Sequence, residues 1–163
     1  LENEDMIARA KKYIDAIVSF QKSDGWICPC KDEERETYDT WAVQLITKTL
    51  TVYYECSKDE RIPDVIYRVL KNYYDMLKSK EIRLFNWGHA RWFECFIAIN
   101  FVYERTGEEW LKDLAKILTV EYVVAEDKAN AVVHTRVGIY NEFVFFSFHT
   151  IIILRRTKNS NPF

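Results

Sequence analysis

Four glycines and three prolines among 163 residues leave this chain very little with which to turn. Average usage would put the two residue types together near roughly 12%. An all-β sandwich needs a turn every ~8–12 residues, so that architecture is excluded. Disorder is excluded as well, because 48% of the residues are hydrophobic and 15% aromatic. Long helices joined by few breaks remain. The formal net charge of −2 lacks the basic face that a dedicated nucleic-acid binder carries. The longest apolar run, Phe143 to Leu154, is shorter than the ~20 residues of a spanning helix. No membrane span is expected, and no basic region ahead of an apolar run marks a secretory signal.

The apolar spacing predicts a first helix from about Asn3 to Gln21, with Met6, Ile7, Ala10, Tyr13, Ile14, Ile17 and Val18 on one stripe. Ser23-Asp24-Gly25 ends it, and residues 24–37 read as a loop. A second helix, about Tyr38 to Cys56, is apolar nearly all round, with Asp39, Gln44, Lys48 and Glu55 its only strongly polar residues. Such a helix is expected to be buried. A third, about Asp59 to Lys78, is amphipathic: Ile62, Val65, Ile66, Val69, Leu70, Tyr73, Tyr74 and Leu77 follow one face, and Pro63 fits its first turn. A fourth, about His89 to Arg105, is again nearly all apolar. A fifth, about Glu108 to Tyr122, carries one stripe of Trp110, Leu111, Leu114, Ile117 and Leu118. A sixth element, about His134 to Leu154, is apolar, with helix and strand both open.

Helices that face water therefore alternate with helices that read as buried. Tyr54-Glu55-Cys56-Ser57-Lys58-Asp59-Glu60 also matches Tyr103-Glu104-Arg105-Thr106-Gly107-Glu108-Glu109, and Val65 and Val69 fall opposite Leu114 and Leu118. A period of two helices marks an array of helical hairpins. One nearly buried helix per pair favours a two-layered toroid, with inner helices enclosed by outer ones. Its inner helices run in the same direction, so their N-terminal ends gather at one mouth.

Polar and aromatic residues concentrate at those ends. The second helix begins around Tyr38-Asp39-Thr40-Trp41, the fourth around Trp87-Gly88-His89-Ala90-Arg91-Trp92-Phe93-Glu94, and the sixth element near His134. Indole faces stack on sugar C–H faces, and Asp, Glu and Arg bond sugar hydroxyls. The loop Asp24-Gly25-Trp26 is placed to close over the same mouth. Each residue also has a structural reading. Asp39 suits a helix N-terminus, Trp41 and Trp92 suit a core, His89 suits a helix end, and Arg91 with Glu94 suits an ion pair. Asp39 and Glu94 are the two weak candidates for a general acid and base, a matter of carboxylate separation. Cys28-Pro29-Cys30 falls short of the about four ligands of a zinc site, and no metal site is expected. The other cysteines, Cys56 and Cys95, read as small core residues.

Asp24-Gly25-Trp26-Ile27, Tyr38-Asp39-x-Trp41-Ala42, Tyr53-Tyr54-Glu55, Ala90-Arg91-Trp92 and Tyr103 through Leu111 together resemble the β-L-arabinofuranosidase-like glycoside hydrolases of family 127 type, over about Ile7 to Leu118. The resemblance implies an all-α fold, an (α/α)6 toroid, of which about three hairpins, half a toroid, are present. It implies cleavage of L-arabinofuranoside or related rare-sugar linkages in plant-type glycans, a carbohydrate substrate, and a family histidine near His134 that contacts it. It places Glu94 where related enzymes carry a glutamate. Family enzymes are several times longer, and their zinc and catalytic residues lie C-terminal to this stretch. No cofactor is therefore expected here. Residues 1–133 are read as the hairpin part of the catalytic domain. Residues 134–163 are read as a divergent segment, frame-shifted or truncated.

The expectation is thus a fragment of a glycoside hydrolase, inactive alone, with Asp24, Trp26, Tyr38, Asp39, Trp41, Trp87, His89, Arg91, Trp92, Glu94 and His134 at its sugar site. Self-association through exposed inner-helix aromatics would follow. The rival is a non-enzymatic hairpin module that binds a protein or peptide. Another toroid enzyme is a further alternative: a lyase would want a Tyr/Arg/His cluster at the mouth, and the Asp-rich motif of a terpenoid cyclase is not visible.

Overall fold

The computed structural model describes residues 3–129. His134 and the sixth element lie outside them. The chain divides into two units, residues 1–122 and 123–163, and the packing below is that of the first. Among the described residues the fold is all-α: α1 (Glu4–Ser19), α2 (Trp41–Ser57), α3 (Ile62–Ser79), the short α4 (Asn86–Ala90), α5 (Phe96–Thr106) and α6 (Trp110–Ala129), with 3-10 turns at Asp32–Thr37 and Trp92–Cys95.

The amphipathic α3 organises the core. All eight apolar positions of its expected stripe are buried, with Ile62, Ile66 and Leu70 fully so. Burying each such side chain favours the fold by about 1.5–3 kcal/mol. Val43 and Leu50 of α2, Ile99 and Val102 of α5, and Leu111, Leu114 and Leu118 of α6 complete the core. Aromatic pairs knit the layers. Tyr54 of α2 meets Phe101 of α5 edge-on at 5.3 Å, and Tyr67 and Tyr74 of α3 meet Trp110 of α6 at 5.7 and 5.6 Å.

The repeat is structural. Lys58 ends α2 in the left-handed region (φ 54) with its N–H donated to the Tyr54 carbonyl at 2.9 Å. Gly107, its counterpart in the matched segments, ends α5 at φ 68 with its N–H on the Tyr103 carbonyl, also at 2.9 Å. A left-handed residue is the usual way to stop a helix, and a lysine side chain is strained there. Lys58→Gly is therefore expected to raise stability by about 0.5 kcal/mol, after the loss of its exposed Glu55 pair. Urea unfolding checks this, and a net loss of stability would count against it.

Four expectations need correction. The fourth predicted helix is broken into α4, a 3-10 turn and α5, because Arg91 is non-helical (φ −118, ψ 19) and α4 is held from outside, as shown below. The second helix starts at Trp41 rather than Tyr38, which is extended (φ −80, ψ 133). The inner helices are also not buried all round: Leu45 and Val52 of α2 and Ile97 of α5 are exposed. On α1 only Ile14 of the expected stripe is buried, while Met6, Ile7 and Tyr13 face solvent. Among the described residues, no further hairpin packs against these faces.

Candidate functional site

Asp39 ends the approach to α2, and its carboxylate is fully engaged. Oδ1 accepts the Trp41 N–H at 3.0 Å and the Gly88 N–H at 2.8 Å; Oδ2 accepts the Trp87 N–H at 3.1 Å. Two of these donors are first-turn amides of α4, which lack partners within their own helix. Asp39 thus caps α4 from across the chain. Gly88 permits the approach, since a Cβ there would lie 2.6 Å from Thr40 Oγ1 and 3.0 Å from both Asp39 Oδ1 and Trp41 N. The helix-terminus reading of Asp39 is the one its hydrogen bonds fit, with three backbone amides around it.

Trp87, presented by α4, is 58% exposed and tilts against Trp41 at 6.1 Å. The Trp41 indole N–H donates to Glu94 Oε2 at 3.2 Å. Glu94 itself is only 4% exposed, on the 3-10 turn before α5. Its Oε1 accepts from Arg91 Nε at 3.0 Å and Nη2 at 2.5 Å, and lies 3.6 Å from Lys48 Nζ. Burial pushes the Glu94 carboxyl up, but the Arg91 guanidinium, the Trp41 indole and the Lys48 ammonium together outweigh it and hold it below the ordinary value. At neutral pH Glu94 is an ionised acceptor, which suits a hydroxyl donor and not the role of proton donor.

The structure thus gathers Trp87, Trp41, Arg91 and Glu94, with Asp39 behind them. Half-buried His89 sits on the same α4 turn, its N–H on the Phe85 carbonyl at 3.2 Å. Trp26 and Trp92 offer no sugar platform and are corrected to core residues, at 2% and 4% exposure. The Trp26 indole N–H ends on the Cys28 carbonyl at 3.0 Å, and Trp92 packs edge-on against Phe93 and Phe96. Tyr38 lies half-buried with its ring against Trp26 at 6.4 Å. Asp24 bonds within its own loop, accepting the Trp26 N–H at 3.0 Å and Arg35 Nη1 at 2.5 Å. The Asp24-Gly25-Trp26 loop therefore seats inward instead of closing over a mouth. Lys48, Thr40, Gln44, Gly88 and Tyr73 are the neighbours that sequence reasoning did not place at the site. The signal for Gln44 and Lys48 was their polarity on an otherwise apolar helix.

Burial pushes the Cys28 and Cys95 thiols up to about 12, so both stay protonated. Among the described residues no cluster of three or more His, Cys, Asp or Glu could hold a metal. Nor is any helix there long and apolar enough to cross a membrane.

Comparison with curated proteins and with solved structures gives no match. The family model described as Beta-L-arabinofuranosidase, GH127 catalytic domain, matches residues 1–139. With an all-α fold that suits a fragment of a toroid domain, the chain belongs to the glycoside hydrolases of the GH127 β-L-arabinofuranosidase catalytic-domain family.

Proposed function

We propose that this chain supplies one wall of a sugar-binding cleft in a glycoside hydrolase acting on L-arabinofuranoside or related rare-sugar linkages of plant-type glycans. Turnover, in this reading, needs residues outside it. One observation carries the proposal: the exposed Trp87 leans on Trp41, whose indole N–H ends on a buried, charged Glu94 gripped by Arg91. An aromatic face beside a fixed acceptor and a guanidinium donor matches the two sides of a furanose ring. Glu94 would hold the Trp41 indole and the Arg91 guanidinium in place from behind. Asp39 serves α4 through the amides of Trp87 and Gly88.

Two measurements test the reading. Methyl β-L-arabinofuranoside should shift the indole resonances of Trp87 and Trp41, and Glu94→Gln should remove the shift. Aryl L-arabinofuranosides should show no turnover above the blank. Robust hydrolysis abolished by Glu94→Gln would show that the chain needs no outside residues.

A second reading, a hairpin module that binds a protein or peptide, is favoured by the exposed Leu45, Val52, Phe93 and Ile97. It predicts no sugar-induced shift. Self-association through exposed inner-helix aromatics belongs to the half-toroid fragment, and sedimentation velocity over a concentration series reads it directly.

A further inference from the structure

Gln44 is fully buried on α2. Its amide Nε2 donates to the Gly88 carbonyl at 2.9 Å and to Tyr73 Oη at 3.2 Å. Tyr73 Oη in turn donates to Thr40 Oγ1 at 3.2 Å, and Thr40 is itself fully buried. Gln44 Oε1 has no hydrogen-bond partner. A buried amide that uses only its donor half is an expensive way to fill a core. An apolar side chain of the same size would pack there without that cost. What the amide adds is a hold on the Gly88 carbonyl, opposite the hold of Asp39 on the Trp87 and Gly88 amides. The two residues stand five positions apart near the start of α2, and between them they grip α4 at both its donors and its acceptor.

We propose that Gln44, braced by Tyr73 and Thr40, is a positioning residue for the sugar site, fixing α4 so that Trp87 presents its face beside Trp41 and Glu94. Gln44 touches no ligand in this scheme; it acts through Gly88 on Trp87. Its ligand-binding consequence rests on the sugar-cleft reading above, while its effect on α4 does not.

The test uses the whole chain and Gln44→Met, which keeps the volume and removes the donor. Amide exchange at Trp87 and Gly88 should quicken about tenfold, the worth of one buried hydrogen bond. Exchange at Val69 and Leu70, inside α3, should stay as it was. The Kd for methyl β-L-arabinofuranoside should rise about fivefold, by the same reasoning. In a Trp87→Ala background the same substitution should add nothing, because Gln44 acts through Trp87. A purely structural role would instead raise exchange throughout and add its full effect in that background. Unchanged exchange at Trp87 and Gly88, or full additivity, overturns the proposal. Tyr73→Phe removes the brace with the ring in place, and it decides the matter by the same readouts if Gln44→Met does not fold. If the wild-type chain binds no sugar, the cleft reading fails, and the exchange at α4 still decides the role of Gln44.

Discussion

Gly25→Ala is expected to lower stability by about 3 kcal/mol, a fall of about 10 °C in the unfolding midpoint. Two costs combine. Gly25 sits at φ 98, where an alanine is strained by about 1–2 kcal/mol. A Cβ there would also run into the Arg68 carbonyl, with the Asn72 Cβ 3.1 Å away. The obstacle is the backbone of α3, which cannot swing aside as a side-chain tip can. The loop must lift instead. Lifting it loosens the Lys22 N–H bond to the Trp26 carbonyl (2.8 Å) and the seat of Trp26, Ile27 and Cys28, each below 5% exposed. Gly107→Ala is the control: its φ is also left-handed, but nothing lies within 4 Å of the added carbon. It should cost about 1 kcal/mol. Equal losses from the two substitutions would mean that the loop's seat on α3 contributes nothing.

The same loop shows where sequence reading stops. Asp24-Gly25-Trp26 looks like a polar and aromatic cap for a cleft, and an indole serves as well in a core as on a sugar. What sends Trp26 inward is a local solution for its one polar atom: the indole N–H reaches the Cys28 carbonyl two residues on. With that bond made, burial carries no unpaired donor, and Arg35 lies over the outer ring face at 4.9 Å. No periodicity reveals such a bond. Trp87 has an equally modest local signal, yet it stays outside, because Asp39 fixes its backbone at the surface.

The packed elements were more legible. In α3 a stripe of eight apolar residues at helical spacing admits one buried face, and the structure buries all of it. The repeat was legible because the same helix end recurs, first closed by Lys58 and then by Gly107. The break between α4 and α5 was not, since residues 89–105 are as apolar as one continuous helix would be. That break comes from contacts 48 and 49 positions away in sequence, the Asp39 carboxylate on the amides of Trp87 and Gly88. Glu94 stood out for an opposite reason: a lone carboxylate in an apolar stretch must find partners or be neutralised. Its partners Trp41 and Lys48 lie on another helix, and only Arg91 was within reach of a spacing argument.

Glu94→Gln is expected to cost about 2 kcal/mol at pH 7. Removing one member of a deeply buried pair costs about 3–5 kcal/mol, mostly by stranding a charge. Here the stranded groups are Arg91 and Lys48, whose side chains are 43% and 37% exposed and can take up water, so the cost falls below that range, to about 2 kcal/mol. The pH dependence separates this charge effect from lost packing. Burial alone would raise the Glu94 carboxyl, but Arg91, Trp41 and Lys48 hold it below the ordinary value. A carboxyl lowered by folding stabilises the fold above its unfolded value, about 4.3, and loses that contribution as the pH falls through the folded value. The difference between wild type and Glu94→Gln should therefore be constant from pH 7 down to about 5 and shrink below about 4. Asp15, Asp24, Asp32 and Asp59 are lowered too, each hydrogen-bonded to an arginine or lysine. Because all four are present in both proteins, they cancel in the difference. A gap that stays constant from pH 7 to pH 3 would mean that Glu94 acts by shape alone. The charged acceptor beside Trp87 would then be lost to the sugar-cleft reading.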